Sequence, residues 1–180
     1  NWDDPTLVPR YLHFVIASIA VAGLFTAVAA RIKHGKDTAA GATGIRLGMR
    51  YFAWGSVVQI FSGLWLLLSI PREIMLLFMG RDLYATALFI LNLAMATGTL
   101  ITAFKRMVWP TVAGLLIIVS GMTLIRDALR DAFLGPYHSL SGLKVVGQFS
   151  PLILFLGTFA ASLGLIGYML KIYLTADKVG

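Results

Sequence analysis

One histidine lies inside a long apolar stretch of this sequence. His13 follows Arg10 by three residues and stands near the start of a charge-free run that ends at Ala30. A neutral imidazole in this setting is either an axial ligand of haem iron or a hydrogen-bonding partner of a neighbouring helix. Small side chains on its helical face would let a flat ring system or another helix approach closely: Ala17, Ala20 and Ala27.

A b-type haem needs a second axial ligand on the same side as His13. The predicted second ligand is His138, in the connection Gly135-Pro-Tyr-His-Ser139. His34 follows the opposite end of the first apolar run, too far from His13 to share an iron. Methionine is an accepted alternative to histidine, and three methionines are expected near the same side: Met75, Met79 and Met122.

Two amides and one arginine complete the predicted cofactor-binding set. Gln59 and Asn92 stand at comparable depths of two later apolar runs. Each can hydrogen-bond a quinone carbonyl or a haem propionate, or the two can bond to each other across helices. Arg10 either clamps propionates or anchors a helix end by snorkelling. None of these side chains is predicted to be catalytic.

The composition places these candidates in a membrane. Of 180 residues, 58% are hydrophobic and 13% charged, whereas soluble domains average about 45–50% and about 25%. This balance excludes a globular cytosolic enzyme, a disordered chain and a soluble nucleic-acid binder. The count of zero cysteines excludes disulfide scaffolds, thiolate metal sites and covalent haem attachment.

The apolar runs have the length that a membrane helix needs, about 20 residues. They predict an all-α integral membrane protein, a bundle of five transmembrane helices in one domain over 1–180, with spans at about 11–30, 51–70, 83–104, 107–125 and 149–170. The apolar segment 74–80 is too short to cross and is predicted to lie at the interface. No carboxylate lies within a span, which argues against an ion pump.

The connections between spans predict the orientation. On one side they carry nine bases and two acids, and on the other six of each. By the positive-inside rule the basic side is cytoplasmic, so the N-terminus is expected in the periplasm and the C-terminus in the cytoplasm. The expected location is the cytoplasmic (inner) membrane of a bacterium or archaeon. The basic excess is then a topology signal with the lipid bilayer as partner, and nucleic acid is not an expected partner.

Two motifs resemble a known family. The first is the span start Asp4-Pro-Thr-Leu-Val-Pro-Arg-Tyr-Leu-His13-Phe, and the second is Gln59-Ile-Phe-Ser-Gly63-Leu-Trp65, with its continuation to Pro71. They are similar to cytochrome bd quinol oxidase subunit I and its relatives, in which an R-x-x-H element opens one span and the next span carries the glutamine, glycine and tryptophan. The resemblance covers roughly the first half of the chain.

The resemblance implies a cytochrome b-like membrane subunit of a respiratory electron-transfer complex. Such a subunit exchanges electrons between the quinone pool and a periplasmic redox partner, for example a multihaem cytochrome c, and is not catalytic alone. His13 would ligate haem b, and Gln59 would line the haem or quinone region. The chain is shorter than an oxidase subunit and lacks its further span histidines, so remaining ligands would come from other membrane subunits.

Two alternatives stay open from the sequence. The first is a haem-free structural anchor that docks a redox or transport partner through the small-residue stripe between Gly157 and Gly167. The second is a copper-handling or transport protein, similar to copper-resistance D-type membrane proteins, in which the methionines would bind Cu(I).

Overall fold

Helices form every regular element of the computed structural model, which describes residues 4–135 and 149–175. They are α1 Leu7–His34, α2 Ala39–Ser69, α3 Arg72–Leu76, α4 Leu83–Phe104, α5 Val108–Leu134 and α6 Phe149–Thr175. A wide, π-type turn over Leu77–Arg81 connects α3 to α4. The all-α prediction is confirmed for the described part of the chain.

Five of these helices, all except α3, are long and apolar enough to cross a membrane. Their large apolar side chains face outward: Phe14 is 71% exposed and Phe61 67% exposed. In water such exposure would cost about 25 cal/mol for each Å² of apolar surface, whereas hydrocarbon accepts it. The chain is therefore a multi-pass membrane protein.

The helices match the predicted spans at their apolar centres and differ at their ends. Helix α4 occupies the predicted 83–104, but α2 begins at Ala39 instead of 51, and α5 continues to Leu134 instead of 125. These extensions contain charged residues and are still helical, because a helix keeps its backbone hydrogen bonds where it leaves the hydrocarbon. The start of α2 is set by Thr38, whose Oγ1 accepts a hydrogen bond from the Gly41 amide at 3.0 Å.

The chain divides into two compact units, Asn1–Ser139 and Leu140–Gly180. Helices α1 to α5 belong to the first unit, and α6 is the described helix of the second. The single transmembrane domain over 1–180 stays a prediction. Within α6, Gly157, Ala160, Gly164 and Gly167 share one stripe by helical spacing.

Helices α1 and α2 pack antiparallel, and their backbones approach closely where small residues meet. We call this contact the α1–α2 seam; it is formed by Ala20, Gly23, Ala27 and Ala30 of α1 and by Gly44, Gly48 and Gly55 of α2. A Cβ added to Gly48 would lie 2.6 Å from the Ala27 nitrogen, and one added to Gly55 would lie 2.9 Å from the Ala20 Cβ. The alanine face of α1 thus receives another helix at Ala20 and Ala27.

Helices α4 and α5 form a second antiparallel pair, held partly by polar contacts. The Thr102 and Thr111 hydroxyls lie 2.9 Å apart, and Thr111 is fully buried. Gly114 of α5 leaves room for the side chain of Thr99. A shared core joins the two pairs, and it includes Leu24, Met49, Phe52, Ala103 and Val108.

One end of the first unit collects the start of α1, the end of α2, the start of α4 and the end of α5; we call it the His13 end. Here the turn Leu77–Arg81 depends on Gly80, whose φ of 118° strains any residue with a Cβ. The Gly80 amide donates to Thr86 Oγ1 at 2.9 Å, and Asp82 Oδ1 caps α4 by accepting from the Ala85 amide at 2.7 Å. Segment 74–80 thus lies in two five-residue elements and is not one of the five helices long enough to cross a membrane; its position at the interface stays a prediction.

The seam predicts opposite effects for two glycine-to-alanine substitutions. Gly48→Ala places a methyl group against the backbone of α1, so we expect a loss of about 1–3 kcal/mol in the free energy of unfolding. Gly98→Ala on α4 meets no atom within 4 Å, and its better helix propensity should leave stability unchanged or raise it by up to about 1 kcal/mol. Denaturant unfolding in detergent micelles, followed by circular dichroism, measures both. Equal stabilities of the two variants would contradict the packing of the seam.

Candidate functional site

His13 lies where the α1–α2 seam reaches the His13 end. Its side chain is half-buried. Its Nδ1 lies 2.9 Å from Ser62 Oγ on α2, and Ser62 Oγ in turn donates to the Gln59 carbonyl at 3.0 Å. The imidazole is therefore held by one of its two nitrogens.

The glycine next to Ser62, Gly63, leaves space for the imidazole ring of His13. A Cβ added to Gly63 would lie 3.1 Å from Cε1 of His13 and 3.6 Å from its Nδ1. Because Gly63 has no side chain, the edge of the imidazole can approach the backbone of α2. The same absence of volume that brings the helices together in the seam thus accommodates the ring.

The second ring nitrogen, Nε2, has no hydrogen-bond partner among residues 4–135. Ligating histidines in proteins use one nitrogen for the metal and anchor the other through a hydrogen bond. The half-buried, singly anchored ring of His13 fits that arrangement. An imidazole held in this way has the chemistry to ligate a haem iron through Nε2, and the second axial ligand is a separate question.

Gln59 lies one turn before Ser62 on α2, and it contributes two groups. Its backbone carbonyl accepts the Ser62 hydroxyl, while its side-chain Oε1 is buried with no hydrogen-bond partner in the described part of the chain. A buried acceptor without a donor costs about 1–3 kcal/mol. A ligand or subunit that brings a donor to this oxygen would remove that cost.

Asn92 takes a different position from the one that a Gln59–Asn92 pair requires. Its side chain lies against Gly121 of α5, with Oδ1 directly over the glycine. No hydrogen bond connects Asn92 to Gln59 in the described residues. The structure thus links the Gln59 backbone carbonyl to His13 through Ser62 and places Asn92 in the α4–α5 pair.

Arg10 belongs to a polar cluster at the start of α1. Its Nη2 donates to Thr6 Oγ1 at 2.6 Å, and Thr6 donates to Asp4 Oδ1 through its amide at 2.9 Å and its hydroxyl at 2.8 Å. These hydrogen bonds lower the pKa of Asp4 from its ordinary value; the bond from the Thr6 amide has the larger effect, and the bond from the Thr6 hydroxyl has the next largest. This cluster borders an open cleft of about 490 Å³, lined also by Ser69, Ile70, Pro71 and Phe133.

The other histidines and the candidate methionines follow in turn. His138 lies outside the described residues. His34 ends α1, and the continuous helix separates it from His13 by about 32 Å at 1.5 Å per residue. Met75 is half-buried in α3, and Met79 and Met122 are exposed. Among residues 4–135 and 149–175, no three His, Cys, Asp or Glu side chains form a metal-binding group.

Comparison with known proteins adds no assignment: no protein-family model, no curated protein and no solved structure matches the chain. The resemblance to cytochrome bd subunit I therefore stays a prediction based on the two motifs.

Ser62 is the site residue that sequence reasoning did not assign. It follows Gln59 by three residues, but nothing in its spacing relates it to a histidine 49 residues earlier in the chain. That relation depends on the register of α1 against α2. Thr6 connects Arg10 to Asp4 and was also not predicted. In the sequence, a threonine just before a helix resembles an ordinary N-cap.

The Arg10 cluster predicts the acid titration of Asp4. Since its folded pKa lies below the ordinary value of 3.8, the bonds from Thr6 should persist through that pH and be lost only as the pH falls through the lowered pKa. The chemical shift of the Thr6 amide proton, followed by NMR in micelles, reports the midpoint. Thr6→Val removes the hydroxyl donor and should move the midpoint towards 3.8.

Thr26→Val is the matched control for this titration, because its hydroxyl bonds only to the Ala22 carbonyl within α1. It should leave the midpoint unchanged. A wild-type midpoint at or above 3.8 would contradict the cluster.

Proposed function

We propose that this chain is a cytochrome b-like membrane subunit of a respiratory electron-transfer complex. In that role it works with other membrane subunits to pass electrons between the quinone pool and a periplasmic redox protein. The observation that supports the proposal is the state of His13: an intramembrane imidazole, anchored through Nδ1, whose Nε2 has no partner among residues 4–135. Ionisable groups at such positions are expensive and are usually functional.

Haem b, when bound, would supply one-electron transfer, and the side chains of this chain would bind and orient it. His13 would hold the iron through Nε2. Ser62 and Gly63 would orient the imidazole, the first by a hydrogen bond and the second by leaving space. The second axial ligand would come from His138 or from another subunit. Apolar side chains facing lipid around α1 and α2 would keep water away from the iron.

Arg10 and Gln59 are the polar groups proposed to recognise the haem or a quinone. Arg10 lies three residues before His13 on α1, near the start of the helix, and its guanidinium would bind a haem propionate. Gln59 offers a buried amide whose oxygen lacks a donor. Asn92 is proposed only as a packing residue of the α4–α5 pair, because its amide is directed at Gly121.

The proposed orientation places the His13 end in the periplasm. The opposite end of the first unit carries Arg31, Lys33, Lys36, Arg46, Arg50, Lys105 and Arg106 with a single acid, Asp37, whereas described bases and acids are equal at the His13 end. This asymmetry supports a cytoplasmic location for the basic end.

Haem ligation predicts a spectroscopic loss on substitution of His13. The complex purified through this chain should show a b-type band in its reduced-minus-oxidised spectrum, and His13→Ala should abolish it. His34→Ala, at the far end of the same helix, should retain the band. Size-exclusion chromatography must show that both variants assemble. An assembled wild-type complex without haem would refute the proposal and favour the structural anchor; copper in place of haem would favour the copper-handling protein.

The orientation can be tested directly because the chain contains no cysteine. Single cysteines at exposed positions of the two ends, Arg72→Cys and Lys36→Cys, are exposed to a membrane-impermeant maleimide in intact cells. Arg72→Cys should react in intact cells, and Lys36→Cys should react only after the membrane is opened. The reverse pattern would place the His13 end in the cytoplasm.

A further inference from the structure

The Ser62 hydroxyl takes part in two hydrogen bonds, one within α2 and one with His13. Its Oγ lies 3.0 Å from the Gln59 carbonyl oxygen and 2.9 Å from Nδ1 of His13. Ser62 is itself only 6% exposed, so water has little access to these bonds.

One arrangement of the protons satisfies both bonds. A carbonyl oxygen only accepts, so in this arrangement the single hydroxyl proton of Ser62 is directed to Gln59. Oγ then accepts from the imidazole, Nδ1 of His13 carries a proton, and in the neutral ring Nε2 carries the lone pair.

We propose that Ser62 is a positioning residue that holds His13 in its Nδ1-protonated tautomer and so presents the Nε2 lone pair to an electron-pair acceptor, the iron of a haem. The ligand in this statement rests on the proposed function, whereas the tautomer can be measured with no ligand present. Two features maintain the arrangement: Ser62 is fixed by its bond to its own helix, and Gly63 keeps the ring edge close to α2.

The chain contains a matched control for Ser62. Ser69, two turns later on α2, also donates its hydroxyl to its own helix, to the Trp65 carbonyl at 2.8 Å. Ser69 has no hydrogen bond to a histidine in the described residues. Ser69→Ala thus removes the same kind of backbone bond as Ser62→Ala and leaves His13 untouched.

The decisive measurement is the tautomer of His13 in the full chain. The protein is labelled with ¹⁵N-histidine, placed in lipid nanodiscs without haem, and studied at a pH where the ring is neutral. Two-bond ¹H–¹⁵N couplings distinguish the protonated nitrogen from the bare one, and His13→Gln identifies the signals of His13.

We expect Nδ1–H to dominate in the wild type and in Ser69→Ala. In Ser62→Ala the ratio should shift towards Nε2–H by about fivefold, the equivalent of one net hydrogen bond of about 1 kcal/mol. Ser62→Thr keeps a hydroxyl and should restore the wild-type ratio. A wild-type ring protonated mainly at Nε2, or a ratio that Ser62→Ala leaves unchanged, would overturn the proposal.

A titration with hemin separates this proposal from the proposed function. The same four samples are titrated with hemin, and the shift of its Soret band measures binding. Wild type, Ser62→Thr and Ser69→Ala should bind alike, and Ser62→Ala about fivefold more weakly, the same conversion as above. A tautomer shift without hemin binding by any sample would uphold Ser62 as the positioning residue and count against the haem role.

Discussion

Backbone contact between α1 and α2 determines where the polar groups of this membrane protein meet. Gly23, Gly48 and Gly55 bring the two helices so close that an added Cβ would strike the partner helix. In a bilayer no hydrophobic force favours one helix contact over lipid, so such close packing is what holds the pair in register. The register in turn places His13 beside Ser62 and Gly63. A shift by one residue would separate the ring from its hydroxyl.

Several hydroxyl groups bond only within their own helix, and Ser62 differs from them because it also contacts a ring nitrogen on a second helix. Ser18, Thr26, Thr97 and Ser120 each donate to a carbonyl one turn earlier in their own helix, which satisfies the group without a partner. Ser62 does the same, and its Oγ also lies within hydrogen-bond distance of Nδ1 of His13 on α1. Nearby, Gln59 leaves a buried oxygen without a donor. These four exposed hydroxyls are therefore satisfied within their own helices, whereas the unsatisfied acceptor of Gln59 occurs on α2, the helix whose Ser62 contacts His13.

Hydrophobic length was enough to predict the existence of every spanning helix, and for α4 also its bounds. Local sequence could not predict the ends of α2 and α5, because helical hydrogen bonding continues through charged residues such as Arg46 and Arg126. Within the site, the candidacy of His13 followed from its type and depth alone. Its bond to Ser62 did not, since that bond depends on the seam, and the position of Asn92 depends on Gly121 in the same way.

The distance of His13 from the end of α1 bears on the proposed role. Six residues of helix separate it from the start of α1, about 9 Å along the axis. A group bound there would lie near one membrane surface, at the end where bases and acids of the described chain balance. The opposite end carries the basic excess, and in the proposed orientation it faces the cytoplasm. In the proposed role, a redox centre at His13 would therefore be accessible to a periplasmic partner.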